Sequence, residues 1–160
     1  MGHGGRRMQE LIYLAGKING LTWQEANDWR KRVIDELSLR DEYKRLVFYN
    51  PLSHVLYLNG KNVKITPETV RGTSKRIVVD DEFYLKKATV ILVNLEGNGM
   101  TGTLCEIGYA RALGKLIVGF GKSKLIEHPF IERWVDIHLP TLEEAIDYLD
   151  DLLLGMCIGR

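Results

Sequence analysis

Glu106 stands in the stretch GTLCEIGYARALGK, Gly102 to Lys115, between the apolar runs TVILVNLE and LIVGFG. Apolar strand, glycine-containing turn, helix, apolar strand is the pattern of a parallel α/β sheet, whose turns usually hold an anion on bare N–H groups. A carboxylate there suits a phosphate grip badly, because two anions repel. Held ionised and oriented by helix N-terminal amides, it suits a nucleophile or a stabiliser of positive charge. A purely structural reading stands beside this one. Thr103 and Glu106 have capping-box spacing, in which glutamate at the third helical position bonds back to the cap. Thr22/Glu25 and Thr141/Glu144 repeat the device. Of these glutamates, only Glu106 falls at the carboxyl end of a predicted central strand.

Other side chains could share the chemistry. Asp80 and Asp81 either stabilise a helix start through its dipole, with Asp81 near that start, or form a solvated charge pair, or meet a ligand's polar edge as acid or hydrogen-bond partner. Two aspartates facing one cleft would raise each other's pKa, as an acid working near neutral pH requires. Tyr13 lies in an apolar strand beside Gly16, as core or as contact. Asn94 and Glu96 end the strand before Glu106, and either could reach a cleft; Glu96 could equally be a solvated turn residue. GNGMTGT carries glycines but no Gly-Lys-Thr/Ser ending, so it is no Walker loop. Nor does the first turn, AGKING, have the spacing of a dinucleotide fingerprint.

The elements that must position these residues follow from periodicity. LIYLAG, Leu11 to Gly16, is a short apolar strand. LTWQEANDWRKRVIDEL follows as an amphipathic helix, capped by Thr22 and Glu25, with Trp23, Ala26, Trp29, Val33 and Leu37 at helical spacing. RLVFYNP is a second strand stopped at Asn50-Pro51, since proline cannot continue a ladder. VLYLNGKNVKI reads as a hairpin on Asn59-Gly60. Thr66-Pro67 signals a helix start, with helical structure resuming or continuing through DDEFYLKKA. Then come the strand TVILVNLE, the Glu106 helix ending at Gly114, and the strand LIVGFG. A short helix in HPFIERW, an edge strand in VDIHL and a closing helix, TLEEAIDYLDDLLL, complete the chain.

Apolar strands alternating with helices predict a single-domain, doubly wound α/β fold of flavodoxin or Rossmann type, with a mostly parallel sheet of about five strands. Ligands in such sheets bind beyond the carboxyl ends of the strands. That places Gly16, Asn50, Glu96 through Glu106 and Gly119 through Gly121 around one cleft. Residues 11–155 are the expected domain, with residues 1–10 and 156–160 as tails.

A net charge of +1 over 160 residues, with both signs interspersed, offers no footprint for a nucleic-acid polymer. No apolar run approaches a membrane span, and no signal-peptide pattern opens the chain. Cys105 and Cys157 are expected as reduced thiols in a cytoplasm. His3, His54, His128 and His138 are scattered and build no metal-ligand spacing. No metal or organic cofactor is expected, since carboxylate chemistry needs neither.

Together, IYLAGKING, DEFYLKKAT with Asp81 seven residues before Ala88, and GTLCEIGYARALGK resemble the nucleoside 2-deoxyribosyltransferase family. WVDIHLPTLEEAIDYL is also similar to the tail of small members. The resemblance implies that Glu106 attacks C1′ of a 2′-deoxynucleoside, that Asp81 contacts the base and helps its departure, and that Tyr13 positions nucleophile and sugar. It implies small-molecule partners, a nucleoside or 5′-nucleotide and a nucleobase, and a homo-oligomer in which a neighbouring subunit completes each site. Two departures stand out. Where members often carry aspartate, or serine in related nucleotide hydrolases, six residues before the glutamate, this chain has Met100. Thr101 and Thr103 are the candidate hydroxyls in its place, beside Gly102, and Glu96 the candidate acid. The family's Ala-Asp pair reads Ala88-Thr89. Exchange of nucleobases and hydrolysis of a 5′-monophosphate both fit this pattern, and a non-catalytic binding module fits if Glu106 only caps its helix.

Overall fold

A computed structural model describes residues 8–55, 63–70 and 72–155. Strands β1 (Glu10–Ala15), β2 (Leu46–Tyr49), β3 (Val90–Asn94), β4 (Leu116–Phe120) and β5 (Ile137–Leu139) form one sheet in the order β2-β1-β3-β4-β5. Every pairing is parallel, with Tyr13 opposite Tyr49 on one side and Ile91 on the other. The helices are α1 (Trp23–Arg40), α2 (Ser74–Lys87), α3 (Thr101–Ala112), α4 (Pro129–Trp134) and α5 (Leu142–Leu149). The doubly wound fold expected from the sequence is therefore present. The chain leaves β1 towards one sheet edge and β3 towards the other, which opens a crevice between their carboxyl ends.

Strand side chains alternate between faces, and the alternation decides which layer meets which residue. Ile12, Leu14, Val90, Leu92 and Val118 pack with Val33 and Leu37 of α1 and Ala145, Ile146 and Leu149 of α5. Tyr13, Ala15, Ile91, Val93 and Ile117 face the opposite way, onto Leu85 of α2, Ile107 and Ala110 of α3 and Ile131 of α4. Tyr13 thus points into the layer that carries Asp81 and Glu106. Thr22 caps α1 in a complete capping box with Glu25, as its sequence predicts. Thr141 caps α5 by accepting the Glu144 N–H, and the helix runs on as a π-helical turn over Asp150–Leu154.

Some local expectations change. The predicted turn at Asn59-Gly60 lies outside the described residues. Its flanks bridge elsewhere, Val55 to Val70 and Lys64 to Thr22. Thr66-Pro67 opens only a 3-10 turn, Pro67–Thr69, and α2 starts afresh at Ser74 with Thr73 as its cap. Asp81 is consequently in the middle of a helix, not near its start, so the helix-dipole role falls away. Ala26, Leu52, Val55 and Ile65 form a small separate core that fixes these loops above the crevice. No helix among the described residues is long and apolar enough to cross a membrane.

Candidate active site

A cleft of about 360 Å³ opens at the crevice between β1 and β3, a size usual for a small-molecule site. Gly16 to Asn19 form one wall, Gly99 to Thr103 and Glu106 a second, and Pro51, His54, Val55, Val70, Ile77 and Asp81 the remainder. Gly16 is there for close packing. A Cβ on it would stand 2.9 Å from the Trp29 ring and 3.3 Å from the Arg30 guanidinium.

Glu106 does not cap its helix. Helix α3 begins at Thr101, with Met100 at the cap position and making no side-chain bond there. Thr103 is already a buried helical residue, so the capping-box spacing has no helix start to act on. The helix N-terminal amides expected to hold the carboxylate belong to the preceding turn. Its partner is instead Tyr13, whose hydroxyl donates to Glu106 Oε2. Burial pushes the Glu106 pKa up to about 7, nearby Asp81 adds to the rise, and the Tyr13 bond and the Arg30 charge oppose it. The carboxylate is therefore poised around neutrality, a different state from the firmly ionised one that amides would have given. Burial, with Glu106 and Asp81 close by, holds the Tyr13 phenol protonated far above its ordinary range, so it is the donor in this pair.

Arg30 is the residue that sequence reasoning missed on this side. It is fully buried, and donates from Nε to Leu14 O at 3.3 Å and from Nη2 to Gly16 O at 2.9 Å, with Nη1 on Ala26 O. Those bonds tie the carboxyl end of β1 to α1. Burial lowers its pKa to about 10, which still leaves it a cation able to stabilise ionised Glu106. A signal existed: Arg30 interrupts the apolar stripe at Ala26, Val33 and Leu37, on the face α1 turns to the sheet.

Asp81 reaches the cleft from α2 and accepts a 2.8 Å bond from the Tyr49 hydroxyl. Burial raises its pKa, against the lowering effects of Tyr49 and His54. His54 Nε2 lies 2.9 Å from the same hydroxyl. Tyr49 stacks on Tyr84 at 4.0 Å between centroids and tilts against Tyr13 at 5.1 Å, so one aromatic column links the surroundings of the two carboxyl groups. His54 carried no sequence signal, because its partners are set by folding.

The remaining candidates divide. Gly16, Met100, Thr101, Gly102 and Thr103 line the cleft. Asn50 does not; it accepts the Leu52 N–H and donates to Asn27, so it caps a turn whose Pro51 and His54 reach the cleft instead. Asp80 pairs with Arg76 at 3.0 Å and borders a neighbouring groove, so the two aspartates do not face one cleft. Asn94 closes its own turn by accepting the Glu96 N–H, and Glu96 is exposed. Gly119 and Gly121 are also outside the cleft: Gly121, at φ +100°, packs so tightly on Glu96 that a Cβ would overlap it. Among the described residues no group of three or more histidine, cysteine, aspartate or glutamate side chains is arranged to hold a metal ion.

An open parallel sheet with a carboxyl-lined cleft at its switch point defines an α/β protein built to receive a small ligand. Within that class, the sequence model of the nucleoside 2-deoxyribosyltransferase family matches residues 12–134, and the chain belongs to this family. Its fold is similar to that of a conserved protein from Enterococcus faecalis V583, at 17% identity and TM-score 0.65, covering 91% of this chain and 99% of that one. It is similar to the 2-deoxyribosyltransferase of Bacillus psychrosaccharolyticus, at 18% identity and TM-score 0.63, with coverages of 86% and 91%. A 2-deoxyribosyltransferase from Leishmania mexicana is similar at 16% identity and TM-score 0.57, with coverages of 88% and 96%. At these identities the likeness is one of fold. No curated protein matches the sequence significantly.

Proposed function

We propose that the protein cleaves the N-glycosidic bond of a 2′-deoxynucleoside through a deoxyribosyl ester on Glu106 and passes the sugar to a second nucleobase. The observation that carries this reading is the contact of Tyr13 with Glu106 at the wall of a cleft that Asp81 also lines. Breaking the bond builds positive charge on the sugar in an oxocarbenium-like transition state, which a fixed carboxylate stabilises and then traps. The Tyr13 hydroxyl orients that carboxylate, and the buried charge of Arg30 favours its ionised form. Asp81, its pKa raised by burial, supplies a proton to the departing base. Membership of the family, and fold neighbours described as 2-deoxyribosyltransferases, support the same chemistry.

A specific observation favours a second reading. Lys17, Thr101 and Thr103 line the same cleft, where a cation and hydroxyls suit the 5′-phosphate of a deoxynucleotide, with water as the sugar's acceptor. We further propose a homo-oligomer, since Val79 and Phe83 lie exposed on α2 beside the groove that adjoins the cleft.

Mass spectrometry of the intact protein, mixed with a slow 2-fluoro-deoxynucleoside, tests the central step. A sugar adduct on Glu106 is the expected result, and a turnover-competent protein that never carries one rejects the covalent mechanism. Chromatography after adding excess second base distinguishes the acceptors: an exchanged nucleoside supports transfer, and deoxyribose 5-phosphate released from a nucleotide without exchange supports hydrolysis.

A further inference from the structure

Asp81, Tyr49 and His54 form a closed polar ring whose third member has no part in the chemistry described so far. The Tyr49 hydroxyl is 2.8 Å from Asp81 Oδ1 and 2.9 Å from His54 Nε2, and that nitrogen is 3.5 Å from the same carboxylate oxygen. A phenol has one proton to give and a lone pair to accept another, so two arrangements satisfy both short contacts. In the first, His54 Nε2–H donates to Tyr49, and Tyr49 donates to ionised Asp81. In the second, protonated Asp81 donates to Tyr49, and Tyr49 donates to bare Nε2. Passing from first to second moves the His54 proton onto Tyr49 oxygen and the phenolic proton onto Asp81. An imidazolium–carboxylate pair becomes a neutral imidazole and a neutral carboxylic acid, and Tyr49 is a phenol before and after.

We infer that His54, acting through Tyr49, stores the proton that Asp81 hands to the departing nucleobase. The inference rests on the glycosidic reading above. In that step the C1′–N bond breaks with its electron pair remaining on the base, the bond from a Glu106 oxygen to C1′ forms, and the proton leaves Asp81 for the base. Once that proton has left with the base, Asp81 is a carboxylate; it takes the proton of the incoming base, and that proton returns through Tyr49 to His54. His54 is placed for this exchange. Its side chain is 14% exposed and borders both the cleft and the adjoining groove, which is also lined by Tyr49, Ser53, Arg76, Asp80 and Tyr84. It can therefore trade protons with solvent on the side away from the sugar. Tyr49 cannot swing out of the ring easily, being clamped between the rings of Tyr13 and Tyr84.

The charged and titratable groups around the ring come from every neighbouring element. Helix α2 presents Asp80, Arg76 and Tyr84, β2 presents Tyr49, β1 presents Tyr13, and α3 presents Glu106. Asp80 is engaged by Arg76 at 3.0 Å, which moderates its repulsion of Asp81. Burial of Asp81 favours the arrangement in which the shared proton sits on the carboxyl group, and burial of Tyr49 keeps it a neutral phenol in both.

The test is the pH profile of kcat/KM for the wild type, His54→Gln and Tyr49→Phe, on a 2′-deoxynucleoside and on a nitrophenyl 2-deoxyriboside, whose leaving group needs no proton. Both variants are expected to lose about 10²-fold on the nucleoside, and at least about tenfold less than that on the nitrophenyl compound. Their alkaline limbs should move to higher pH, because Tyr49 and His54 both lower the Asp81 pKa and losing either leaves its proton held more tightly. Equal losses on the two substrates, with the alkaline limb unmoved, would assign His54 a structural role and overturn the inference. Should His54→Gln fail to fold, Tyr49→Phe makes the same comparison, since phenylalanine keeps the ring stacking. A wild-type enzyme that cleaves neither compound overturns the glycosidic reading and the relay with it. One that cleaves both, with variants indifferent to the leaving group, overturns the relay alone.

Discussion

The Tyr13 hydroxyl donates its proton to Glu106 Oε2 across 93 residues of sequence, joining the middle of β1 to the second turn of α3. This bond favours the ionised carboxylate, so Tyr13→Phe raises the Glu106 pKa. In the wild type, kcat/KM should rise with pH through about 7 as Glu106 ionises. In Tyr13→Phe that acid limb should move upward by about one pH unit, the worth of one hydrogen bond to a charged group. An unmoved limb would show that another group controls it.

Glu106 also links pH to stability. Its pKa is raised from 4.5 to about 7 in the folded chain, so the folded state keeps a proton that the unfolded state has lost. The stability this supplies is fully present below the unfolded pKa and disappears as pH climbs through the folded one. Glu106→Gln, whose amide oxygen can still accept from Tyr13, should flatten that slope and leave the protein more stable at pH 8 by about 2 kcal/mol. The same variant should lose glycosidic cleavage by about 10³-fold or more. Denaturant titrations at pH 5 and pH 8 check the first outcome, and a wild type equally stable at both would contradict it.

Gly16→Ala should damage the wall of the cleft. The added methyl would stand 2.9 Å from Trp29 and 3.3 Å from both Arg30 Nη2 and Asn94 Cβ, inside a packed corner with little room to yield. A destabilisation of about 1–3 kcal/mol is expected, the usual cost of overpacking, together with a raised KM. Thermal melts and steady-state kinetics measure the two effects. A variant as stable as wild type would mean that Trp29 gives way freely.

Sedimentation should find a dimer or larger assembly. Val79 and Phe83 on α2 are each about half exposed at the second groove, and Val78 on the same helix is equally exposed, which is costly apolar surface for a monomer to leave wet. A fully active protein that sediments only as a monomer would rule out a site completed by a neighbour.

The architecture was legible because it follows from local pattern. Strands that are apolar on both faces, separated by helices, pack stably only as a covered parallel sheet, and Thr22 with Glu25 announces where α1 begins. The candidate site was legible in part. Tyr13 stood out within a predicted strand beside Gly16, and Asp81 and Glu106 near predicted helix starts, and folding gathers them around one crevice. Asn50, Asn94 and Glu96 stood at equally promising ends, but each turn used or displaced its side chain locally.

Local pattern in the chain was enough to predict the strands, the helices and a covered, mostly parallel sheet, since each element depends on residues a few positions apart. Only the tertiary structure decided where α3 starts, and therefore that Glu106 bonds to Tyr13 instead of to its own helix. It alone set buried Arg30 beneath the end of β1 and closed the ring of Asp81, Tyr49 and His54. Those contacts depend on strand register and on how two helices lie across the sheet, distances no local pattern encodes; burial then turned ordinary side chains into a carboxyl group poised near neutrality and an aspartate able to hold a proton.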